Sequence, residues 1–161
     1  MKQFILASTV ITTALVTGVF YAFAIAVNLA FQQLPDAAYI EAMQAINRAI
    51  VNPGFAISFF GAPVLLPLAT YMYAKPVFSQ RAGYLLVATL LFLIGSFGVT
   101  VLANIPLNDQ LAVVTLTGKT NAQLFTARHA FADAWNNWHL VRTLCSIGAL
   151  ILLVVACFKK V

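Results

Sequence analysis

The chain has 161 residues, of which 62% are hydrophobic and only 8% are charged. Soluble domains carry about 25% charged residues, so this chain has too few polar side chains to cover a soluble globule. The formal net charge of +5 does not indicate a nucleic-acid-binding protein, because the basic residues are scattered rather than clustered with aromatic residues. The composition therefore predicts one integral membrane domain, residues 1–161, with room for about four spanning helices.

The first predicted span covers residues 4–31, which contain no charged residue. This stretch is too long for the apolar core of a signal peptide, so we expect it to be retained as a membrane helix. Gly18, Ala22 and Ala26 recur at every fourth position and form a row of small residues. Such a row lets another helix approach closely, either within the bundle or from a partner protein.

A polar segment follows, and Pro35-Asp36 is typical of a helix start. We expect an amphipathic helix from about Ala37 to Val51, ended by Asn52-Pro53-Gly54. One face of this helix carries Glu41, Gln44 and Arg48, and another carries Met43, Ile46, Asn47 and Ile50. The helix either lies at the membrane interface or caps a cavity between the spanning helices.

The second and third predicted spans are residues 55–73 and 83–104, and neither contains a charged residue. Pro63 and Pro67 should kink the second span, because each removes a backbone donor. Pro106 disfavours a helical conformation at Ile105, so we expect the third helix to break there. Asn104 and Asn108 flank this position and are expected to bond the freed backbone groups. The connection that follows, residues 109–119, has no clear secondary-structure signal.

The last helical stretch is predicted to run from Ala122 to Phe158, as one helix or as two nearly coaxial ones. Thr120 and Gln123 have the spacing of a capping box, and no proline follows them. The fourth span is residues 139–158, so this stretch projects well beyond the bilayer before it enters. Helical spacing predicts one polar face composed of Trp135, Trp138, His139, Arg142 and Ser146.

The distribution of charge predicts how the chain is oriented. Four spans place both termini on the same side of the membrane. That side carries no acidic residue and five basic residues, Lys2, Lys75, Arg81, Lys159 and Lys160. The opposite side carries Arg48, Lys119 and Arg128 with all four acids, Asp36, Glu41, Asp109 and Asp133. The excess of lysine and arginine puts both termini in the cytoplasm. The fold class is therefore an all-α, four-helix transmembrane bundle with an extracytoplasmic amphipathic cap helix and a long fourth helix.

Arg142 is predicted to lie a few residues inside the hydrocarbon edge, where a charge needs a partner. The partners available to it are Glu41, Asp133, Asn104 and Asn108. The alternative is that Arg142 snorkels to the interface and that the two tryptophans form an interfacial belt. No metal site is predicted, because His129 and His139 have no third ligand spaced with them and no Cys-x-x-Cys is present. Cys145 and Cys157 are interpreted as small apolar packing residues.

Four stretches of the chain together resemble a known family. They are Glu41, Gln44, Asn47 and Arg48; then Asn52-Pro53; then Asn104, Pro106 and Asn108; and finally Trp135, Trp138 and Arg142. In order and spacing they are similar to the small four-helix membrane proteins that include the anthrone oxygenases, much of which is known only as a domain of unknown function. The resemblance covers nearly the whole chain and implies a bacterial protein, which we therefore expect in the inner membrane.

The resemblance implies oxidation of an anthrone-like aromatic to a quinone by dioxygen, with no metal, flavin or other cofactor. Such chemistry needs a base, donors for the resulting enolate and an apolar aromatic cavity. We expect His139 or Glu41 as the base, and Arg142, Asn104 and Asn108 as oxyanion donors. Contacts to the substrate are expected from Trp135, Trp138, Gln44, Asn47, Asn104 and Asn108.

A second hypothesis is a non-catalytic small-molecule-binding protein or an accessory subunit of a membrane complex. In that case the row of Gly18, Ala22 and Ala26 would face the partner. A transporter is less well supported, because the chain lacks a repeat architecture and has no ionisable residue at mid-membrane. The expected partners are the lipid bilayer and a lipophilic aromatic molecule, with self-association left open and no nucleic acid.

Overall fold

Residues 1–159 are described by the computed structural model, so Lys160, one of the predicted cytoplasmic charges, lies outside the described residues. The described range folds into five helices and contains no strand. They are α1 Lys2–Gln32, α2 Asp36–Ala49, α3 Pro53–Ala74, α4 Gln80–Ala112 and α5 Asn121–Cys157. All of these except α2 are long and apolar enough to cross a membrane, which indicates an integral membrane protein. The predicted all-α, four-helix transmembrane bundle is confirmed.

Two of the long helices contain π-helical segments, at Phe23–Val27 in α1 and at Leu91–Gly98 and Thr100–Asn104 in α4. A π-helix bonds each N–H to the carbonyl five residues back, so each turn holds more than the 3.6 residues of an α-helix. In an α-helix, a row of residues spaced by four rotates about 40° per step. The wider turn keeps such a row on one face, and the row Phe92, Ser96, Thr100 and Asn104 is buried throughout.

The prediction that the third helix breaks at Ile105 is wrong. α4 continues through Ile105 to Ala112, with Pro106 in the first turn of the α-helical segment that follows the π-helical one. Proline breaks a helix interior because it lacks an N–H and its ring collides with the preceding turn. The residue before the proline, Ile105, donates its N–H to the Thr100 carbonyl five residues back, so the helix reaches Pro106 in the wider π-helical register rather than the α-helical one. The change from π- to α-helix therefore accommodates Pro106.

α5 is one continuous helix, and its predicted capping box is confirmed. The Thr120 hydroxyl accepts a hydrogen bond from the Gln123 backbone N–H at 3.3 Å, and the Gln123 side chain accepts from the Thr120 N–H at 2.9 Å. At 1.5 Å per residue, 37 residues extend about 55 Å, against about 30 Å for the hydrocarbon core. The N-terminal part of α5 therefore extends beyond the membrane.

α2 covers the end of the bundle where α5 projects. Its apolar residues Tyr39, Ile40 and Met43 are buried against Leu111 of α4 and against α5. The Gln44 side chain donates to the backbone carbonyls of Leu111 and Val114 at the end of α4, both at 2.9 Å. These contacts make α2 a cap that packs on the bundle rather than a helix held only by lipid.

A second contact network ties the start of α2 to α5. The Arg128 guanidinium bonds the Asp36 carboxylate at 2.9 Å and the Leu34 carbonyl at 2.7 Å. It also lies over the Tyr39 ring, 4.4 Å from the centroid. A single arginine of α5 therefore holds both the chain before the cap helix and the first turn of that helix.

The opposite end of the bundle carries basic residues packed on tyrosines. Lys2 lies over Tyr73, Lys75 over Tyr71 and Lys159 over Tyr84. Arg81 donates to the carbonyls of Ala156 and Cys157, at 3.0 and 3.3 Å, and to that of Lys159. The N-terminus, the α3–α4 connection and the end of α5 thus meet at one end of the bundle. Cations and tyrosines are typical of a membrane–water boundary.

The small-residue row of α1 does not serve packing inside this chain. Gly18, Ala22 and Ala26 are all exposed, and a methyl group added at Gly18 would meet nothing within 4 Å. Close helix contact occurs instead between α4 and α5, at Gly95. A methyl group there would lie 2.7 Å from the Cβ of Cys145 and closer still to its sulfur.

We expect Gly95→Ala to destabilise the protein by about 1–3 kcal/mol, because an added methyl in a filled contact forces the helices apart. Thermal unfolding in detergent measures the change. Gly18→Ala is the control, since it adds the same methyl to another membrane-spanning helix, where it would meet nothing within 4 Å. Equal melting temperatures for the two variants would contradict the close contact between α4 and α5.

Candidate functional site

A buried histidine–arginine pair lies on α5, on the face that contacts α1 and α4. His139 is 2% exposed and Arg142 is 7% exposed. Arg142 Nε donates to His139 Nδ1 at 3.0 Å, and Arg142 Nη1 makes a longer contact of 3.4 Å to the Thr100 hydroxyl. The guanidinium carbon lies 4.4 Å from the Phe20 ring centroid. The charge is therefore held among aromatic rings and one hydroxyl.

Arg142 has no carboxylate partner among residues 1–159. In this range the ion pairs are Arg128–Asp36 and, at 3.8 Å, His129–Asp133 on the surface of α5. The prediction that Arg142 bonds Glu41, Asp133, Asn104 or Asn108 is wrong for the described residues. Glu41 and Asp133 lie on exposed faces of their helices, and the two asparagines bond Trp135 instead.

The bond from Arg142 determines which nitrogen of His139 carries a proton. Arginine is always a donor, so His139 Nδ1 must be an unprotonated acceptor. The neutral imidazole then carries its hydrogen on Nε2. Nε2 is buried and makes no hydrogen bond of normal geometry in the described part of the chain, while the Phe20 backbone lies close to the imidazole. A buried donor without a partner costs free energy, so this atom is available to a ligand acceptor.

Trp135 forms one wall of the site, and two asparagines hold it in place. Its indole N–H donates to Asn108 Oδ1 at 2.7 Å, and its carbonyl accepts from Asn104 Nδ2 at 3.1 Å. Its ring stacks on His139 with centroids 4.8 Å apart and an interplanar angle of 14°. Asn104 and Asn108 are thus brought to the site, but they orient the tryptophan rather than the arginine.

Trp138 does not join this buried face, because 45% of its surface is exposed. Three residues advance a helix by 300°, so Trp138 lies about 60° away from Trp135 round α5. The other predicted members of the face, His139, Arg142 and Ser146, are buried as expected. Trp138 instead faces outward, near the level where the membrane boundary is expected.

The predicted residues of the cap helix lie apart from the histidine–arginine pair. Glu41 is exposed, and it makes no hydrogen bond or ion pair within residues 1–159. Gln44 is used in the bonds to the end of α4. Asn47 is half-buried, and its side-chain nitrogen has no partner within this range. Their predicted roles in catalysis or substrate binding stay predictions.

Sequence reasoning missed Phe20, Phe23 and Thr100, which surround the pair. The Phe23 ring lies 5.1 Å from Trp135 and 5.3 Å from His139, and it belongs to the π-helical segment of α1. Thr100 belongs to the π-helical segment of α4. The row of Ser96, Thr100 and Asn104 at every fourth position was the available signal, since polar residues in an apolar span are costly unless they face protein.

Two cavities lie at the ends of the bundle. One of about 440 Å³ is lined by Leu34, Pro35, Asp36, Ala37, Asn121, Leu124 and Arg128. The other, of about 480 Å³ and more open, is lined by Phe78, Ser79, Gln80, Gly83, Tyr84, Val87 and Leu152. Neither is lined by His139 or Arg142. Within residues 1–159, no three His, Cys, Asp or Glu side chains are grouped to hold a metal ion.

Outside the membrane-spanning helices, Tyr39 is the residue with a clearly perturbed ionisation. Burial raises the pKa of the Tyr39 hydroxyl from 10.0 to about 12, and the nearby Arg128 guanidinium opposes part of that rise. The hydroxyl oxygen is buried and has no hydrogen-bond partner in the described residues. Tyr39 therefore belongs to the apolar contact between the cap helix and α5.

A family model described as anthrone oxygenase matches residues 55–152, which is more than half of the chain. The match contains Asn104, Asn108, Trp135, His139 and Arg142, whereas the cap helix lies before it. The comparisons with curated proteins and with solved structures gave no match.

We expect the stability of the protein to fall between pH 10 and pH 12 in part through Tyr39. The folded chain holds the Tyr39 proton more tightly than the unfolded chain, so this contribution is complete below pH 10 and lost as pH rises to about 12. Tyr39→Phe has no proton to lose and should be destabilised less across this window. Denaturant unfolding in detergent at each pH measures this, and parallel curves for the two proteins would contradict it.

Proposed function

This chain belongs to the anthrone oxygenase family, and we propose that it is a membrane oxygenase acting on an anthrone-like or related lipophilic aromatic with dioxygen. The observation that carries the proposal is the buried pair of His139 and Arg142, whose cation has no acidic partner within residues 1–159. A preorganised cation and a free N–H donor in a dry site stabilise a negative charge that develops during a reaction.

The proposed reaction converts a methylene group beside an aryl ketone into a second carbonyl. Loss of one methylene proton leaves an enolate, whose carbon donates electrons to dioxygen and forms a C–O bond. Return of the proton gives a hydroperoxide, and loss of water from it gives the quinone. The sum is one methylene group plus dioxygen giving one carbonyl group plus water, so the electrons come from the substrate and the proposal includes no cofactor.

The enolate oxygen is the group that the site would hold. In this proposal Arg142 and the Nε2–H of His139 donate to that oxygen, while the rings of Trp135 and Phe23 contact the planar substrate. Asn104 and Asn108 act through Trp135, because their hydrogen bonds set the position of its backbone and indole. Each of these interactions involves a residue on α1, α4 or α5.

The assignment of the base follows from the tautomer of His139. With Nδ1 bonded to Arg142 and hydrogen on Nε2, His139 has no free acceptor nitrogen, which favours a donor role. Of the two predicted bases, Glu41 then takes the proton. Glu41 is exposed on the cap helix, so this proposal requires α2 to shift before the carboxylate reaches a substrate held by the pair.

The alternative remains a non-catalytic small-molecule-binding protein or an accessory subunit of a membrane complex. The exposed row of Gly18, Ala22 and Ala26 supports that alternative, because the bundle itself does not use it. Native mass in mild detergent separates the two: a stoichiometric unrelated subunit favours the accessory protein.

We expect Arg142→Met and His139→Phe to lower kcat for anthrone oxidation by about 10²–10³, the usual effect of removing an oxyanion donor. Glu41→Gln should also be slow near neutral pH, but its rate should recover at high pH as hydroxide removes the substrate proton. Oxygen consumption with purified protein and anthrone measures each rate against blank detergent.

Matched controls for these variants lie on exposed surfaces. Arg48→Met and His129→Phe change the same residue types away from the buried pair and should leave kcat within about twofold of the unmodified chain. Turnover equal to blank detergent, or turnover that survives loss of both His139 and Arg142, would refute the proposed mechanism.

We also propose that both termini are cytoplasmic and that the cap helix is extracytoplasmic. Support comes from the basic end of the bundle, where Lys2 bonds the Lys75 carbonyl, Arg81 bonds the end of α5 and Lys159 lies over Tyr84. The four acids of the described residues, Asp36, Glu41, Asp109 and Asp133, all lie towards the other end. A fluorescent protein fused at the C-terminus should emit. Alkaline phosphatase inserted at Gly118, in the α4–α5 connection, should be active, and the reverse pattern would invert the topology.

A further inference from the structure

The charge of Arg142 is balanced by nothing that the described chain supplies. A buried cation without an anion is costly, because neither lipid nor an apolar interior replaces the water it has lost. Arg142 is 7% exposed, and its hydrogen bonds go to a neutral imidazole and a hydroxyl. The guanidinium carries five N–H donors, of which these two contacts use two. Further donors therefore remain for a ligand.

A second donor faces the same neighbourhood. His139 is 2% exposed, and its Nε2 has no partner within residues 1–159. Because Arg142 occupies Nδ1, the free nitrogen is the one that bears hydrogen. Two unused donors, one of them charged, lie within one turn of α5. The remaining N–H groups of Arg142 and the Nε2–H of His139 can only donate hydrogen bonds, so together they favour a ligand oxygen that carries negative charge.

The walls of the site indicate the shape of the ligand. The Trp135 ring stacks on the His139 ring, and the Phe20 and Phe23 rings meet His139 at 84° and 71°. Flat rings packed face and edge favour another planar aromatic system. Phe23 is only half-buried, so this wall of aromatic rings reaches the outer face of α1.

We infer that the His139–Arg142 pair is a receptor for the ionised oxygen of a planar aromatic, so that the ligand is bound as its enolate, phenolate or carboxylate in preference to a neutral isostere. This inference rests on the proposed function for the site's role in catalysis, and it adds the charge state of the ligand. The anion supplies the counter-charge that Arg142 lacks, and the unpaired His139 N–H gains its acceptor.

The inference is tested by binding, without turnover. The probes are 2-naphthoate and 2-naphthamide, which share a ring system and differ in charge. The chain has two tryptophans, so Trp138→Phe leaves Trp135 as the single reporter beside the pair. Quenching of its emission in neutral detergent at pH 8 gives both dissociation constants, and titration calorimetry checks them.

We expect 2-naphthoate to bind at least tenfold more tightly than 2-naphthamide. Arg142→Met and His139→Phe should reduce that preference to less than threefold, while Arg48→Met and His129→Phe should leave it unchanged. Arg142→Lys should keep part of it, because the charge remains and the guanidinium geometry is lost. The comparison of the two probes on the chain with Arg142 intact does not depend on whether the site variants fold.

Three outcomes would overturn the inference. They are equal affinity for the two probes, an unchanged preference in folded Arg142→Met, and displacement of 2-naphthoate by dioleoylphosphatidylglycerol, which would assign the donors to a lipid headgroup. Selective binding of 2-naphthoate by a protein that does not oxidise anthrone would refute the oxygenase proposal while supporting the receptor. Anthrone oxidation by a protein that binds the two probes equally would refute the receptor while supporting the oxygenase proposal.

Discussion

The burial of one arginine in an apolar helical bundle is the constraint on which the rest of this structure depends. Lipid cannot solvate a guanidinium, and the described chain offers Arg142 no carboxylate. The charge is instead surrounded by a histidine nitrogen, a hydroxyl and two aromatic rings. α5 has to hold its polar face towards α1 and α4 for these contacts to exist, and the arrangement of the three helices follows from that requirement.

The two π-helical regions serve this arrangement. The wider turn in α4 keeps Ser96, Thr100 and Asn104 on one buried face, so a hydroxyl reaches Arg142 and an amide reaches the Trp135 backbone. The π-helical segment of α1 carries Phe23 to the edge of the His139 and Trp135 rings. π-Helical turns cost hydrogen-bond geometry and are often found at functional sites. Here they lie on both sides of one histidine–arginine pair. The α4 segments and the pair itself fall within the anthrone oxygenase family match over residues 55–152, whereas the α1 segment precedes it.

The cap end of the molecule is stabilised by a different kind of contact. Arg128 has an acid, two backbone carbonyls and a tyrosine ring as partners, so its charge is fully used in holding α2 to α5. Arg142, four turns further along α5, has none of these except aromatic rings. Arg128 is thus a structural cation whose donors are occupied by the protein. Arg142 keeps donors that a ligand could use.

The amino-acid sequence by itself determined the number of spans, the capping box of α5, the amphipathic cap and the buried face of His139, Arg142 and Ser146, because hydropathy and helical period are local properties. Only the tertiary structure decided that α4 continues past Ile105, since the π-to-α transition that accommodates Pro106 depends on the hydrogen-bond register of the whole helix. It also decided that Asn104 and Asn108 bond Trp135, that Trp138 faces outward, and that Arg142 bonds His139 and Thr100. Each of these depends on which side chains of distant helices meet, and spacing along a single helix carries no information about the partner across the interface.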